Sequence, residues 1–150
     1  MFWGCFSYYG VGGLLPVEGM MNSDKYIDVL QKRVVPEMAK VFSDGSDIFQ
    51  QDLAPCHTSR KVTKFFADNQ IKVREWPGNS PDLNPIENLW AIIKQRLRGK
   101  DCTTMQKLIE AIFQLWYRDP QIIQNCKYLV DSMPERVKQL LKSRGGHIRY

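Results

Sequence analysis

No apolar run in this chain approaches the roughly 20 residues that a membrane-spanning helix needs, so no membrane partner is expected. The opening residues, MFWGCFSYYG, lack a basic stretch followed by a long apolar one, so no secretory signal is expected either. Together these absences point to an intracellular protein. Cysteine is sparse and unpatterned. Cys5, Cys56, Cys102 and Cys126 show no CxxC spacing, which argues against a zinc site and for reduced thiols. The neighbours Cys56 and His57 could form a ligand pair or a nucleophile, but no second Cys/His cluster supports that use. Repeats, low-complexity tracts and long linkers are missing as well.

What is present suits one domain with a real core: 150 residues, 43% of them hydrophobic, which excludes disorder by composition. The net charge of +5 is unevenly spread. Residues 1–50 hold 4 basic and 6 acidic side chains, whereas residues 51–150 hold 17 basic and 10 acidic ones. A basic second half fits contact with phosphates, although a solvated basic surface would look the same.

Local patterns place the elements. Trp3 to Phe6 reads as a strand, Tyr9 to Gly13 as a turn and Leu14 to Val17 as a second strand, together a hairpin. Asn22-Ser23-Asp24 starts a helix whose Tyr26, Ile27, Leu30, Val34 and Met38 recur at helical spacing, with Pro36 expected to kink it or end its regular part. Ser43 to Asp47 reads as a polar turn, Ile48 to Gln51 as a short strand and Ser59 to Asn69 as a helix with Val62, Phe65 and Phe66 inward. Ile71 to Trp76 alternates as a strand does, and Pro77 to Pro85 forms a loop. Ile86, Leu89, Trp90, Ile93 and Leu97 then mark an amphipathic helix.

Two or three helices follow. Leu108, Ala111, Ile112, Leu115 and Trp116 form one stripe, and Ile122, Cys126, Leu129 and Val130 another. Ser132 is placed to cap a last helix with Val137, Leu140 and Leu141 inside, stopped by Gly145-Gly146. The tryptophans Trp76, Trp90 and Trp116 are expected in the core. The order predicts an α/β fold with a mixed sheet, one domain over 1–150 with a core over about 1–100 and a helical tail over about 101–150.

Two acids stand in highly patterned segments, with 34 residues between them: Asp52 in IFQQDLAPCHTSR and Glu87 in WPGNSPDLNPIENLW. Asp52 follows a predicted strand directly, a place where a carboxylate is fixed yet open to solvent. Mg²⁺ prefers such hard oxygen ligands and keeps several waters, so one or two protein carboxylates per ion suffice. Asp52 could equally be a polar strand end before a turn. Glu87 could be a helix cap, with Asn84 at N-cap, Pro85 at N1 and Glu87 at N3 of a capping box.

The combined pattern is more specific than either acid. IFQQDLAPCHTSR followed by WPGNSPDLNPIENLW resembles the catalytic region of the Tc/mariner transposases of the DDE superfamily. WGCFSYYGVGGL, NSDKYIDVL, SMPERV and the terminal GGHIRY match as well, so the resemblance runs nearly end to end. It implies a ribonuclease-H-like mixed sheet flanked by helices. It also implies a cut-and-paste enzyme of the nucleus that cleaves DNA and transfers strands, with transposon ends and target DNA as partners and a homodimer as a further option. Three carboxylates would hold two ions, Mg²⁺ or Mn²⁺. Asp52 would be the second acid and Glu87 the third, both catalytic and metal-binding. Lys94, Arg96, Arg98 and Lys100 could touch DNA phosphates, and His57 and Asn84 could support the site from behind.

Two departures from the family pattern stand out. The family's first acid ends a core strand ahead of the WGCFSYYG hairpin, and Asp24, Asp28, Asp44 and Asp47 come too late to replace it. The chain is therefore read as N-terminally truncated, lacking the first core strand and inactive in isolation. Leu53 stands where the family usually has Asn, so a side-chain hydrogen bond is lost there. The alternative reading is a non-catalytic remnant that binds DNA or a partner transposase.

Overall fold

Phe2–Ser7 (β1) and Gly10–Pro16 (β2) pair as a two-stranded sheet. The link of Tyr8 and Tyr9 is too short for anything but an antiparallel hairpin. The register follows from Met1 and Val17: the Val17 N–H donates to the Met1 carbonyl at 2.7 Å, and the Met1 ammonium donates to the Val17 carbonyl at 3.2 Å. The expected turn over Tyr9 to Gly13 is corrected by this: Gly10 to Gly13 are strand residues, and the turn lies at Tyr8 and Tyr9.

The computed structural model describes residues 1–42, 45–75 and 81–143. Trp76, Gly145 and Gly146, together with the expected stop at the last helix and the GGHIRY segment, lie outside the described residues. The chain divides into two compact units, the first of Met1–Gly4 and Leu15–Asn79, the second of Cys5–Leu14 and Ser80–Tyr150.

In the first unit, Ser23–Val29 (α1) begins at Asn22, whose side chain accepts from the Lys25 amide at 2.9 Å. The helix continues through one π-helical stretch, Leu30–Val34, into Val35–Val41 (α2). Pro36 explains the wide turn. It has no N–H to offer and its ring crowds the carbonyl four residues back, so the chain widens just before it, and the Val35 N–H reaches five residues back to Leu30. The expected kink thus takes the form of a π-bulge.

Arg60–Asp68 (α3) is capped by Ser59, which accepts from the Val62 amide at 3.4 Å. It ends in a Schellman motif: the Ile71 N–H bonds the Phe66 carbonyl at 2.9 Å and the Gln70 N–H bonds that of Ala67 at 3.1 Å. Gln70 adopts the left-handed conformation this motif requires, φ +56°, although it carries a Cβ. Tyr26, Leu30, Val34, Val62 and Phe66 form the core, with Trp3, Ile27, Met38, Phe49, Phe65 and Ile71 packed around them.

The two strands expected at Ile48 to Gln51 and Ile71 to Trp76 are a further correction. Among the described residues they meet only at a single parallel bridge between Phe49 and Val73. The Phe49 N–H bonds the Lys72 carbonyl and the Arg74 N–H bonds the Phe49 carbonyl, both at 2.8 Å. Burial does not alternate along Ile71 to Glu75, where every residue after Ile71 is exposed, so no face of that segment packs as a strand's would. Among the described residues the expected mixed sheet is thus one hairpin and one bridge.

The second unit is helical beyond the hairpin's tip. A 3₁₀ turn over Pro81–Leu83 leads into Pro85–Leu97 (α4), followed by Met105–Arg118 (α5), Pro120–Asp131 (α6) and Met133–Lys142 (α7). Leu89, Ile93, Ile112, Leu115, Trp116, Ile122, Cys126 and Leu129 are buried, as the helical stripes require. Trp90 stacks on Trp116 with ring centroids 5.1 Å apart. The antiparallel alternation turns the peptide groups of Gly12 and Leu14 away from β1. Helix α5 covers that edge: the Trp116 indole N–H donates to the Gly12 carbonyl, and the Leu14 N–H donates to the Tyr117 hydroxyl, each at 3.0 Å.

Helix α7 departs from its predicted facing. Val137 is 43% and Leu141 74% exposed, and the helix instead buries Arg136. Ser132 makes no side-chain cap; its hydroxyl donates to the Leu129 carbonyl at 2.7 Å and accepts from Arg136.

Candidate functional site

Asp52 lies three residues beyond the Phe49 bridge, at the start of a turn over Ala54 to Thr58. The sheet is not what fixes its carboxylate, contrary to the expectation for a strand end. The turn does. Oδ1 of Asp52 accepts from the Ala54 amide at 3.0 Å, an Asx turn, and lies 2.6 Å from Nδ1 of His57. The Asp52 side chain is 51% exposed and that of His57 only 17%. Both bonds fall on Oδ1.

His57 is itself held from two sides. Its ring lies over that of Tyr26 with centroids 4.0 Å apart. The Tyr26 hydroxyl donates to Oε1 of Gln51 at 2.7 Å, and Nε2 of Gln51 donates to the His57 carbonyl at 3.2 Å. A buried tyrosine in the core of α1 thus steadies the turn that carries Asp52. Reading the sequence gave Tyr26 only a core position and passed over Gln51. The available signal was the placement of Gln51 directly before Asp52, on the opposite side of an extended segment. Leu53 is half exposed and packs into no core.

Glu87 sits in the first turn of α4 and is exposed. Asn84 is the N-cap residue, but its side chain makes no capping bond; the Glu87 amide bonds the Asn84 carbonyl at 3.1 Å instead. The capping box considered for Glu87 therefore lacks its Asn84 half. Asn88, the next residue, accepts at Oδ1 from Arg136, a residue to which the sequence reading assigned no role.

The four basic candidates divide. Lys94, Arg98 and Lys100 are exposed on or just beyond the end of α4. Arg96 is engaged within the fold: its Nη1 donates to Oδ2 of Asp119 at 2.8 Å, while Oδ1 of Asp119 caps α6 through the Gln121 amide at 2.9 Å. The structure therefore brings together Asp52 with His57 and Arg96 with Asp119. Asp52 and His57 belong to the first unit; Asn84, Glu87 and the basic residues belong to the second.

Asp52 and Glu87 are each exposed carboxylates, hard oxygen donors of the kind a divalent cation prefers. Among the described residues, no group of three or more His, Cys, Asp or Glu side chains is placed to hold a metal ion.

Comparisons with known proteins give this geometry its context. Residues 12–109 match the family model described as DDE superfamily endonuclease. Across all 150 residues the chain is 34% identical to the Tcb1 transposase of Caenorhabditis briggsae and 31% identical to the Tc1 transposase of Caenorhabditis elegans, covering 54% of each. The chain thus spans about half the length of the curated relatives it matches. Among solved structures, the catalytic domain of the Mos1 mariner transposase superposes with a TM-score of 0.84 at 20% identity, over 99% of this chain and 75% of that one. A pre-cleavage Mos1 transpososome gives 0.85 at 18% identity, over 99% and 45%. The fold is therefore the ribonuclease-H-like fold of the Mos1 catalytic domain. The chain belongs to the family of DDE superfamily endonucleases.

Proposed function

We propose that this chain serves the metal-dependent cleavage and strand transfer of a cut-and-paste DNA transposase, with Asp52 and Glu87 as two of its metal-binding acids. The observation that carries the proposal is the Asp52 turn. Oδ1 is tied by Ala54 and His57 in a side chain that stays half exposed, as an oriented ligand requires. Solved Mos1 catalytic domains are described with Mg and with Mn, which supports the same ions here, two of them in a complete site. Bound ions would activate the attacking oxygen and stabilise the leaving one. The chain's own residues orient the ligands: His57 sets the Asp52 carboxylate and the first turn of α4 sets Glu87. Asn84 shapes that turn through its backbone.

DNA is the proposed partner, contacted through Lys94, Arg98 and Lys100, and the nucleus the proposed location. Mos1 complexes with paired ends support the DNA assignment. A homodimer is the proposed assembly. The finer fold reading, in which the first core strand is not part of these 150 residues, belongs to the same proposal, as does the division into a core over about 1–100 and a tail over about 101–150. On this reading Asp52 and Glu87 leave the acid set one member short, and the isolated 150 residues do not nick DNA.

A second reading, a non-catalytic domain that binds DNA or a partner transposase, rests on the lack of any three-ligand metal group among the described residues. Mn²⁺ calorimetry and a plasmid-nicking assay separate the two. Weak Mn²⁺ binding that drops at least about tenfold in Asp52→Asn and in Glu87→Gln supports the metal reading. Identical titrations for all three proteins reject it. Nicking by the wild-type chain that disappears in both variants would show that two acids suffice and reject the incomplete set.

A further inference from the structure

Arg136 is the one buried charged residue among the described residues, 1% exposed, in a helix whose other residues are exposed or half buried. Burial of a guanidinium is costly unless its donors are bonded, so the position of its acceptors shows what the burial achieves. Nε donates to the Ser132 hydroxyl at 2.9 Å, within α7 itself. Nη1 donates to the Asp82 carbonyl at 2.9 Å and to Oδ1 of Asn88 at 2.7 Å. Asp82 lies in the 3₁₀ turn before α4, and Asn88 in the first turn of α4. One nitrogen therefore bridges the two ends of the segment that contains Asn84, Pro85 and Glu87.

That segment lacks the usual local device. Asn84 makes no side-chain cap, so the start of α4 is not fixed by its own N-cap residue. Leu83, 5% exposed, anchors one point from below, and Arg136 supplies the second and third. The planar guanidinium holds the two acceptors at a set separation, which an ammonium on a flexible stem would not.

We infer that Arg136 is a positioning residue for Glu87: its buried guanidinium clamps the Asp82–Asn88 turn and so sets the direction in which the Glu87 carboxylate leaves α4. The inference rests on the metal-ligand reading of Glu87 and assigns that acid its support. Arg136 itself touches no reacting group.

The test uses the 150-residue chain with Asn88→Ala, Arg136→Lys and Asn88→Asp, and two readouts. One is amide hydrogen exchange at Glu87 and Leu89, with Ile112 and Ile122 as references for global opening. The other is Mn²⁺ affinity. Asn88→Ala removes one acceptor without touching the buried cation, so it decides the matter even where Arg136→Lys fails to fold. In Asn88→Ala, exchange at Glu87 and Leu89 is expected to quicken about tenfold, the effect of one lost charged hydrogen bond. Exchange at Ile112 and Ile122 stays unchanged, and Mn²⁺ binding weakens about tenfold. Asn88→Asp, which keeps the acceptor, restores both.

Unchanged exchange at Glu87, or equal quickening at all four amides, overturns the clamp. Local quickening with wild-type Mn²⁺ affinity overturns the positioning of Glu87. If Glu87→Gln itself leaves Mn²⁺ affinity unaltered, the metal reading fails, and the exchange readout still decides the clamp.

Discussion

Nδ1 of His57 lies 2.6 Å from Oδ1 of Asp52, and both residues lie in the segment from Gln51 to Thr58. The bond is short and the imidazole is stacked on Tyr26, so the carboxylate cannot rotate without disturbing a ring packed beside the core. His57 also supplies an answer to Leu53. Leucine offers Asp52 no side-chain bond, yet Oδ1 of Asp52 is bonded from two residues after it, Ala54 and His57.

His57→Phe isolates this function. Phenylalanine keeps a ring against Tyr26 but removes Nδ1, so the fold is retained and only the orientation of Asp52 is released. On the proposed metal reading, Mn²⁺ affinity falls about tenfold with an unchanged circular-dichroism spectrum. Calorimetry that gives wild-type affinity for His57→Phe would show that the Ala54 amide alone orients the acid.

The basic residues near the end of α4 separate by their partners. Lys94, Arg98 and Lys100 are exposed, whereas Arg96 is paired with the Asp119 carboxylate that also caps α6. If the exposed three contact DNA phosphates, each alanine variant lowers the salt slope of DNA affinity by about 1. Arg96→Ala leaves that slope near the wild-type value and instead lowers the unfolding free energy by about 1 kcal/mol, as expected for a partly buried pair. Fluorescence anisotropy at several salt concentrations, beside thermal unfolding, checks both halves. A slope change in Arg96→Ala as large as in Lys94→Ala would return Arg96 to the DNA-binding set.

Much of the helical framework was readable from local pattern, because its causes are local. Asn22 and Ser59 cap the helices they precede, and Tyr26, Leu30 and Val34 recur on the buried face. Three glycines within five residues read as a turn, yet Gly10 to Gly13 form a strand whose outer peptide groups are bonded by Trp116 and Tyr117, more than a hundred residues later. Nothing within the hairpin announces that contact. The same holds for Arg136, whose burial is decided by acceptors 48 and 54 residues away. The flanks singled out Asp52 and Glu87, whereas the contacts that Tyr26, Gln51 and Arg136 make to the neighbouring turns needed tertiary structure.

Burial pushes the Cys126 thiol from an ordinary 9.0 up to about 12. It is fully covered in α6 and donates to the Ile122 carbonyl at 3.3 Å. At pH 8 a thiol-specific reagent is expected to modify Cys56 and Cys102, which are half buried, and to reach Cys126 only in denaturant. The same shift has a stability sign. The folded state keeps its proton to about pH 12 while the unfolded chain loses it near 9, so this contribution is complete below pH 9 and is lost between 9 and 12. Cys126→Ala removes that part of the alkaline loss, at the cost of a small cavity. Rapid labelling of native Cys126 at pH 8 would contradict the burial.

Gln70 closes the Schellman motif of α3 at φ +56°, a conformation that strains any residue with a Cβ. Its amide and that of Ile71 make the two motif bonds, and Ile71 then packs on the Tyr26–Phe66 core. The strain is therefore balanced by the contacts that hold the start of the Val73 bridge in place. Glycine adopts the same backbone without a steric penalty, so Gln70→Gly is expected to stabilise the chain by about 1 kcal/mol, reduced by the added freedom of glycine in the unfolded chain. Chemical denaturation with an unchanged m-value checks this. A loss of stability in Gln70→Gly would mean that the Gln70 side chain contributes more to the folded state than its backbone strain removes.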